Sequence, residues 1–305
     1  MYIEDTVFRI KSDMTNNFEK FINYINKGDL QKVIELTETF EIDASTRDNE
    51  AIIEAARYGY LEIIKYLLTL PNVDASAQNN EAIIEASIYD HLEVVKYLST
   101  LPEVNVSAQY NGAFVHAAYN GRLAVVQYLS TLPNVDVSAQ NNLAIIWAAQ
   151  HGHLEVVKYL SKLPGVNVSA RINKAIILAA KKGHIKIVEH LSKLRNVDAS
   201  AQGNEAITEA ARKGHSSIVA MLLYYESKVA ASLLPTAYIK YHRRLLFKLR
   251  PIAHKITISL TDLPTPLIIE VIEQSLDFAI YIPYHIKWNM VVAIKHSNWS
   301  KDNKN

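Results

Sequence analysis

The sequence predicts an all-α protein built from stacked helix–turn–helix repeats. A period of 31 residues separates six alanines that stand at the same point of one pattern: Ala51, Ala82, Ala113, Ala144, Ala175 and Ala206. Five of the nine glycines also share one place in the repeat, namely Gly59, Gly121, Gly152, Gly183 and Gly214. A fixed period of about 20–50 residues is typical of stacked-repeat proteins, whose units bury apolar surface only against their neighbours. We therefore expect a solenoid with a continuous surface instead of a globule with one deep pocket.

Each repeat opens with a short predicted helix. In the copy that runs from Asn49 to Gln78, the segment EAIIEAARY (50–58) has apolar residues at helical spacing, which are Ala51, Ile52, Ala55 and Ala56. The paired alanines are small, so a neighbouring helix can come close. Gly59 is predicted to end this helix in a left-handed conformation, in which glycine has no side-chain penalty.

A second, longer helix is predicted over residues 61–70 (LEIIKYLLTL), followed by Pro71 as its stop. An extended loop over residues 73–78 should then lead to the next copy. Asp90 replaces glycine in the second copy, and aspartate tolerates a left-handed conformation. Gly28 holds the glycine register one period earlier, so residues 20–48 are predicted to be a degenerate first copy.

These repeats resemble the ankyrin repeat. The resemblance rests on the Ala-Ala pair, on Gly-His-Leu-Glu-Val-Val at residues 152–157, and on the loop through Val-Asp or Val-Asn. The chain has Glu-Ala-Ile-Ile at residues 50–53 where ankyrin repeats usually carry Thr-Pro-Leu-His, and each copy is about two residues short in its loop. The resemblance implies an ankyrin-repeat solenoid of about six to seven repeats, and the short loop puts the usual β-hairpin finger in question.

The abbreviated copies are similar to those of giant DNA viruses and of intracellular bacteria such as Legionella. This resemblance implies such a source, and a host protein as the partner of an effector. We divide the chain into an N-terminal capping segment (1–19), the ankyrin repeats (20–226) and a helical C-terminal domain (227–305).

The composition excludes several classes of function. The formal net charge is +1 and there is no cysteine, so the chain has neither the overall field of a nucleic-acid binder nor disulfides or cysteine-ligated zinc. The N-terminus has no apolar core of signal-peptide length, and no stretch reaches the ~18–20 apolar residues of a membrane span. We expect a cytoplasmic protein, or one delivered to a host cell.

Differences between the copies predict a binding surface. The position before the Ala pair and the two positions after it vary most, and in ankyrin repeats these positions line the concave face; we call them the first-helix strip. Its middle is aromatic and its end is basic, and the residues we expect to bind a partner protein are Tyr89, His116, Tyr119, Trp147, His151, Lys181, Lys182, Arg212 and Lys213. The alternative is that these positions vary because they lie on a solvent-exposed face and bind nothing.

No catalytic, cofactor or metal motif stands out. The sequence lacks G-x-S-x-G, a glycine-rich phosphate loop and H-E-x-x-H, so we predict neither an enzyme nor a cofactor. The histidines that follow the turn glycines recur in each period and are predicted to be structural. His151 and His153 lack a third metal ligand. The loop acids, such as Asp74, occur singly in each copy and are interpreted as loop caps.

The C-terminal region leaves two further hypotheses. Residues 227–261 contain no acidic residue but seven Lys or Arg. A predicted helix there is either a cap or a docking helix for RNA, acidic lipid or an acidic partner, through Lys240, Arg243, Arg244 and Lys248. Residues 258–299 resemble an F-box in their Leu263-Pro264 start and in Trp288, which implies a ubiquitin-ligase adaptor; a plain helical domain is the alternative.

Overall fold

The computed structural model describes residues 15–222. The chain divides into two compact units, residues 1–170 and residues 171–305. Between residues 15 and 222 all regular secondary structure is α-helical and there is no β-strand. The predicted all-α class is confirmed for this part of the chain.

The first unit contains, in chain order, α1 (15–26), α2 (Leu30–Phe40), α3 (Thr46–Arg57), α4 (Leu61–Leu67), α5 (Ala77–Ile88), α6 (Leu92–Leu98), α7 (Ala108–Tyr119), α8 (Leu123–Leu129), α9 (Ala139–His151) and α10 (Leu154–Leu160). The second unit contains α11 (Ala170–Lys182), α12 (Ile185–Ser192), α13 (Ala201–Arg212) and α14 (216–222). The bounds of α1 and α14 extend as far as the structure describes the chain.

Helices in the first unit form two layers. The first helices of successive repeats, α3, α5, α7 and α9, pack side by side, and the second helices α6, α8 and α10 form the other layer. Within each repeat the two helices also contact each other. The predicted helix–turn–helix repeat is therefore confirmed.

The apolar stripes meet between these layers. The alanines and isoleucine predicted to face the core are fully buried: Ala51, Ile52, Ala55 and Ala56. The second helix contributes Ile63, Ile64 and Leu67 to the same core. Alanine pairs bring the first helices close together because they have little side-chain volume between the backbones.

The second helix is shorter than predicted. It ends at Leu67 and not at Leu70, because the chain tightens after it: the amides of Thr69 and Leu70 donate to carbonyls three residues earlier, at 2.9 Å each. This tightening precedes Pro71, which has no amide hydrogen to continue the helix. The prediction of a second helix longer than the first is wrong.

The extended loop predicted over residues 73–78 is wrong in its second half, where a turn at residues 75–76 is followed by the start of α5. Gln78, Asn79 and Asn80 lie within the first turn of α5 and adopt left-handed conformations, with φ of 51°, 57° and 68°. The same left-handed turn opens the other first helices, at residues 47–49, 109–111, 140–142, 171–173 and 202–204. Left-handed residues other than glycine cost about 1–2 kcal/mol each, so tertiary bonds must hold this turn.

A buried asparagine at the third position of the turn makes those bonds. The Oδ1 of Asn80 accepts a hydrogen bond from the amide of Asn105, 25 residues later, at 2.6 Å. The same bond recurs, in the form acceptor and donor, at Asn49 and Asp74, Asn111 and Asp136, Asn142 and Asn167, and Asn173 and Asp198. We call this series the asparagine ladder, and it links each repeat to the next within a unit.

The loop acids behave as predicted. The Oδ1 of Asp74 accepts hydrogen bonds from both the amide and the hydroxyl of Ser76, at 2.8 and 2.7 Å. The glycine register also holds: Gly59 has a φ of 79°, and Asp90, which replaces glycine, has a φ of 70°. These positions are turn-forming, as the sequence indicated.

Several predicted segments lie outside the described residues. They are residues 1–14 of the N-terminal cap, the basic segment with Lys240, Arg243, Arg244 and Lys248, and the F-box-like segment that begins at Leu263. Among residues 15–222, no helix combines the length and the apolar character needed to cross a membrane.

Candidate functional site

The first-helix strip lies at the C-terminal ends of the first helices, next to the turn glycines. The middle of the strip forms one aromatic cluster in the first unit, made of His116, Tyr119, Trp147 and His151. Tyr119 and Trp147 meet edge to face, with ring centroids 5.2 Å apart and planes at 81°. His116 lies 6.0 Å from Trp147, and His151 lies 4.0 Å from Tyr119.

The aromatic cluster is held in place by backbone bonds as well as by ring contacts. Trp147 and His116 are half-buried, and Tyr119 is 37% exposed. The Nδ1 of His151 lies 3.0 Å from the carbonyl oxygen of Trp147, which fixes the imidazole beside Tyr119. The result is a preformed, partly exposed aromatic surface, of the type that dominates the energetics of protein interfaces.

Tyr89 lies apart from the aromatic cluster. It lines a shallow cavity of about 310 Å³ together with Arg57, Tyr58 and His91. Tyr58 and Tyr89 are 45% and 48% exposed. We did not predict Arg57 and Tyr58 as site residues, although they occupy the same repeat positions as Lys181 and Lys182.

An ion-pair group stands beside this cavity. Arg57 donates to Glu54 at 2.6 Å and to Glu85, in the next repeat, at 2.8 Å. The hydrogen bond to Glu85 raises the pKa of Arg57, and burial raises the pKa of Glu54. Sequence reasoning missed this pairing because Arg57 and Glu85 lie in different repeats, 28 residues apart. The two side chains meet only when the repeats are stacked.

The basic end of the strip lies in the second unit. Its cations are not equivalent, because Arg212 and Lys181 bind Glu209 at 2.8 and 3.2 Å. The hydrogen bonds from Arg212 and then from Lys181 lower the pKa of Glu209 to about 2. Lys182 and Lys213 are exposed and form no ion pair with any residue that the structure describes.

The turn histidines serve the fold, as predicted. The Nε2 of His91 donates to the carbonyl of Arg57 at 2.9 Å, and His153 and His215 donate to Tyr119 and Lys181 at 2.8 and 3.1 Å. Each bond spans 34 residues and so joins a repeat to the next. Over residues 15–222, no group of three or more His, Cys, Asp or Glu residues could hold a metal ion.

The comparisons with known proteins agree with this geometry. No curated protein matches the chain. A family model described as ankyrin repeats, in three copies, matches residues 21–110, 101–172 and 167–232, which together cover well over half of the chain. Arrays of this kind are scaffolds for protein–protein interaction and are typically not catalytic. The chain therefore belongs to the ankyrin-repeat family.

Proposed function

We propose that the chain binds a partner protein through the aromatic cluster, with Trp147 as its central contact. Trp147 carries the proposal because its repeat position holds glutamate in three sister copies, at Glu54, Glu85 and Glu209. The fold does not require a tryptophan there, and its ring packs against His116 and Tyr119 on the same strip. A large, half-buried aromatic residue is a common interface anchor.

The other residues of the first-helix strip are further proposed contacts, taken for each unit by itself. In the first unit Tyr89 contributes an exposed phenol ring. In the second unit positive charge comes from Lys181, Lys182, Arg212 and Lys213. Because Lys182 and Lys213 are exposed, they are the cations best suited to meet acidic groups on a partner.

The nature of the partner follows from the resemblance of the repeats to those of giant DNA viruses and intracellular bacteria. We propose a host protein as the partner, with the chain acting in the host cytoplasm, where it is expressed or to which it is delivered. RNA or acidic lipid would be second partners, through Lys240, Arg243, Arg244 and Lys248. Loss of RNA or vesicle binding on reversal of these four charges would support that second role.

Trp147→Leu is the sharpest test of the aromatic cluster, because leucine occupies the same repeat position at Leu178. The intact chain and this variant are used to capture proteins from a eukaryotic lysate. Lys158→Ala is the matched control, since Lys158 lies on a second helix in an exposed ion pair with Glu155. We expect captured proteins to be lost with Trp147→Leu and kept with Lys158→Ala.

A crosslinking step makes the result specific to the site. A photoreactive amino acid at Tyr119 should become covalently linked to the same protein that Trp147→Leu loses. Unchanged capture by Trp147→Leu, with the melting temperature also unchanged, would remove the aromatic cluster from the proposal.

The second candidate is a ubiquitin-ligase adaptor, which the Leu263-Pro264 start and Trp288 favour. The intact chain would then retain the ligase subunit that F-boxes bind, and Leu263→Ala with Pro264→Ala would lose it. Retention of no ligase subunit by the intact chain would eliminate this candidate without affecting the aromatic cluster.

A further inference from the structure

We propose that the cavity beside Tyr58 and Tyr89 receives a cationic side chain, lysine or arginine, from the partner protein, next to the carboxylate of Glu85. The assignment of this side chain to a partner rests on the proposed function. The binding of a cation at this place does not, because it is argued from the two carboxylates that share Arg57 and from the exposed tyrosine rings of the cavity.

The first step is an imbalance of charge. Arg57 is shared between Glu54 and Glu85, so two carboxylates have one cation between them. Glu85 is only 9% exposed, and of its two carboxylate oxygens Oε2 accepts the bond from Arg57. No described residue donates a hydrogen bond to its Oε1. A carboxylate oxygen that accepts no hydrogen bond from the protein is open to a second, charged donor.

The corresponding glutamate in the second unit is paired with two cations. Glu209 holds the same repeat position as Glu85 and is bound by two cations, Lys181 from the preceding repeat and Arg212 from its own. Arg57 corresponds to Lys181, since it also comes from the preceding repeat. The position that corresponds to Arg212 is occupied at Glu85 by Ile88, which cannot pair with a carboxylate. Glu85 therefore lacks the cation of its own repeat.

The surroundings of Ile88 favour a cation from outside. The adjacent Tyr89 and the neighbouring Tyr58 are both about half exposed and line the cavity with Arg57 and His91. Phenol rings attract lysine and arginine side chains through cation–π contacts. Such a side chain could approach Glu85 over Ile88, the position from which Arg212 reaches Glu209.

The site also has a definite place beside the aromatic cluster. Helix α5, which carries Glu85 and Ile88, packs directly against α7, which carries His116 and Tyr119. Neighbouring helices lie about 8–10 Å apart. A partner segment that crosses both sites would thus present a basic residue and an apolar or aromatic residue roughly 10 Å apart.

The test uses a defined small probe on the full chain. Blocked arginine amide (N-acetyl-arginine methylamide) is titrated against isotope-labelled protein, and amide chemical shifts are followed by NMR. The matched probe is blocked citrulline amide, which has the same shape without the charge. We expect saturable shifts at residues 57–58 and 88–89 with the arginine probe, and affinity at least about fivefold weaker with citrulline.

Two variants separate the site from a general attraction of charges. Ile88→Arg supplies the missing cation from within the chain and copies the arrangement of Arg212, so it should fold and weaken arginine binding at least about fivefold. Glu85→Gln should weaken binding to a similar degree because it removes the carboxylate. Lys158→Ala, on a second helix, should leave binding unchanged.

Equal shifts with both probes, or native affinity in a folded Ile88→Arg variant, would overturn the proposal. Trp147→Leu tells this failure from a failure of the proposed function, since it should abolish capture of the partner but leave arginine binding intact. If Trp147→Leu loses the partner while the native chain does not bind the arginine probe, the proposed role of the aromatic cluster is supported and the proposed cation site is rejected.

Discussion

The imidazole of His153 lies against the α-carbon of Gly121, one repeat earlier. A methyl group at Gly121 would stand 2.4 Å from the Nδ1 of that ring, well inside the normal contact distance. The ring cannot easily move away, because its Nε2 donates to the carbonyl of Tyr119 at 2.8 Å. Two separate constraints thus hold glycine at this turn: a positive φ of 75° and the histidine packed over it.

Gly121→Ala should therefore cost more than an alanine substitution at a turn glycine without a histidine above it. Gly214 is the matched control, since its φ is 81° but no described residue lies within 4 Å of an added methyl group. We expect a loss of about 1 kcal/mol for Gly214→Ala and about 3 kcal/mol for Gly121→Ala in urea unfolding. Equal losses would show that the histidine adds no constraint.

The asparagine ladder predicts a large difference between two adjacent residues. Asn141 and Asn142 are both left-handed, but only Asn142 is buried and accepts the amide of Asn167, at 2.7 Å. Asn142→Ala should destabilise the chain by about 2 kcal/mol more than Asn141→Ala, because the amide of Asn167 loses its acceptor. The free energy of unfolding is measured for both variants; similar values would mean that the ladder contributes little.

The paired carboxylate of Glu209 predicts a dependence of stability on pH. Its pKa falls from 4.5 to about 2 in the folded chain, so the folded state favours the charged form. The stability that this pairing contributes is complete above pH 4.5 and is lost as the pH falls from 4.5 to about 2. Because the side chain is partly exposed, we expect a contribution of about 1 kcal/mol.

Glu209→Gln provides the measurement for that pH dependence. The difference in unfolding free energy between the native chain and the variant should shrink across this pH window. Glu155→Gln, in the exposed pair with Lys158, is the control and should change stability by about 0.5 kcal/mol or less. If the difference between the native chain and Glu209→Gln stays constant from neutral pH down to the folded-state pKa, the assigned pairing is contradicted.

One residue of the left-handed turns is predicted to reduce stability. Ile172 has a φ of 57° and is 64% exposed, a poor conformation for a β-branched side chain that buries little. Ile172→Asn, which copies Asn79 and Asn141, should raise stability by about 1 kcal/mol in thermal unfolding. Ile172→Val keeps the branched side chain and should show no gain. Equal melting temperatures for the two variants would show that the left-handed conformation of Ile172 does not destabilise the chain.

The parts of the fold that follow from local signals could be predicted from sequence. The helix pattern and the turn glycines recur in successive repeats, so a signal that is weak in one copy is supported by the same signal in the others. The left-handed turns could not be predicted, because residues as different as Tyr110, Asn141 and Ile172 occupy them. What these turns share is an asparagine at the third position, and the bond it makes to an amide 25 residues ahead is not visible before the repeats are stacked.

The candidate site shows the same limit. Variation between copies was enough to single out Trp147 and its neighbours in the aromatic cluster. It did not distinguish cations held by a carboxylate, such as Arg212, from exposed ones such as Lys182. That distinction depends on which glutamate stands in the adjacent repeat, and so on the contacts between helices.

The asparagine ladder has a consequence for how such a gene can change. Each of its bonds spans 25 residues, less than the 31-residue period, and therefore needs only one repeat and its successor. Removal of residues 108–138 would join Ser107 to Ala139 and recreate the same Val-Ser-Ala-Gln junction. Whole 31-residue cassettes can thus be excised, duplicated or exchanged with every surviving bond intact. Recombination could in this way place a new aromatic or charged residue on the strip in a single event.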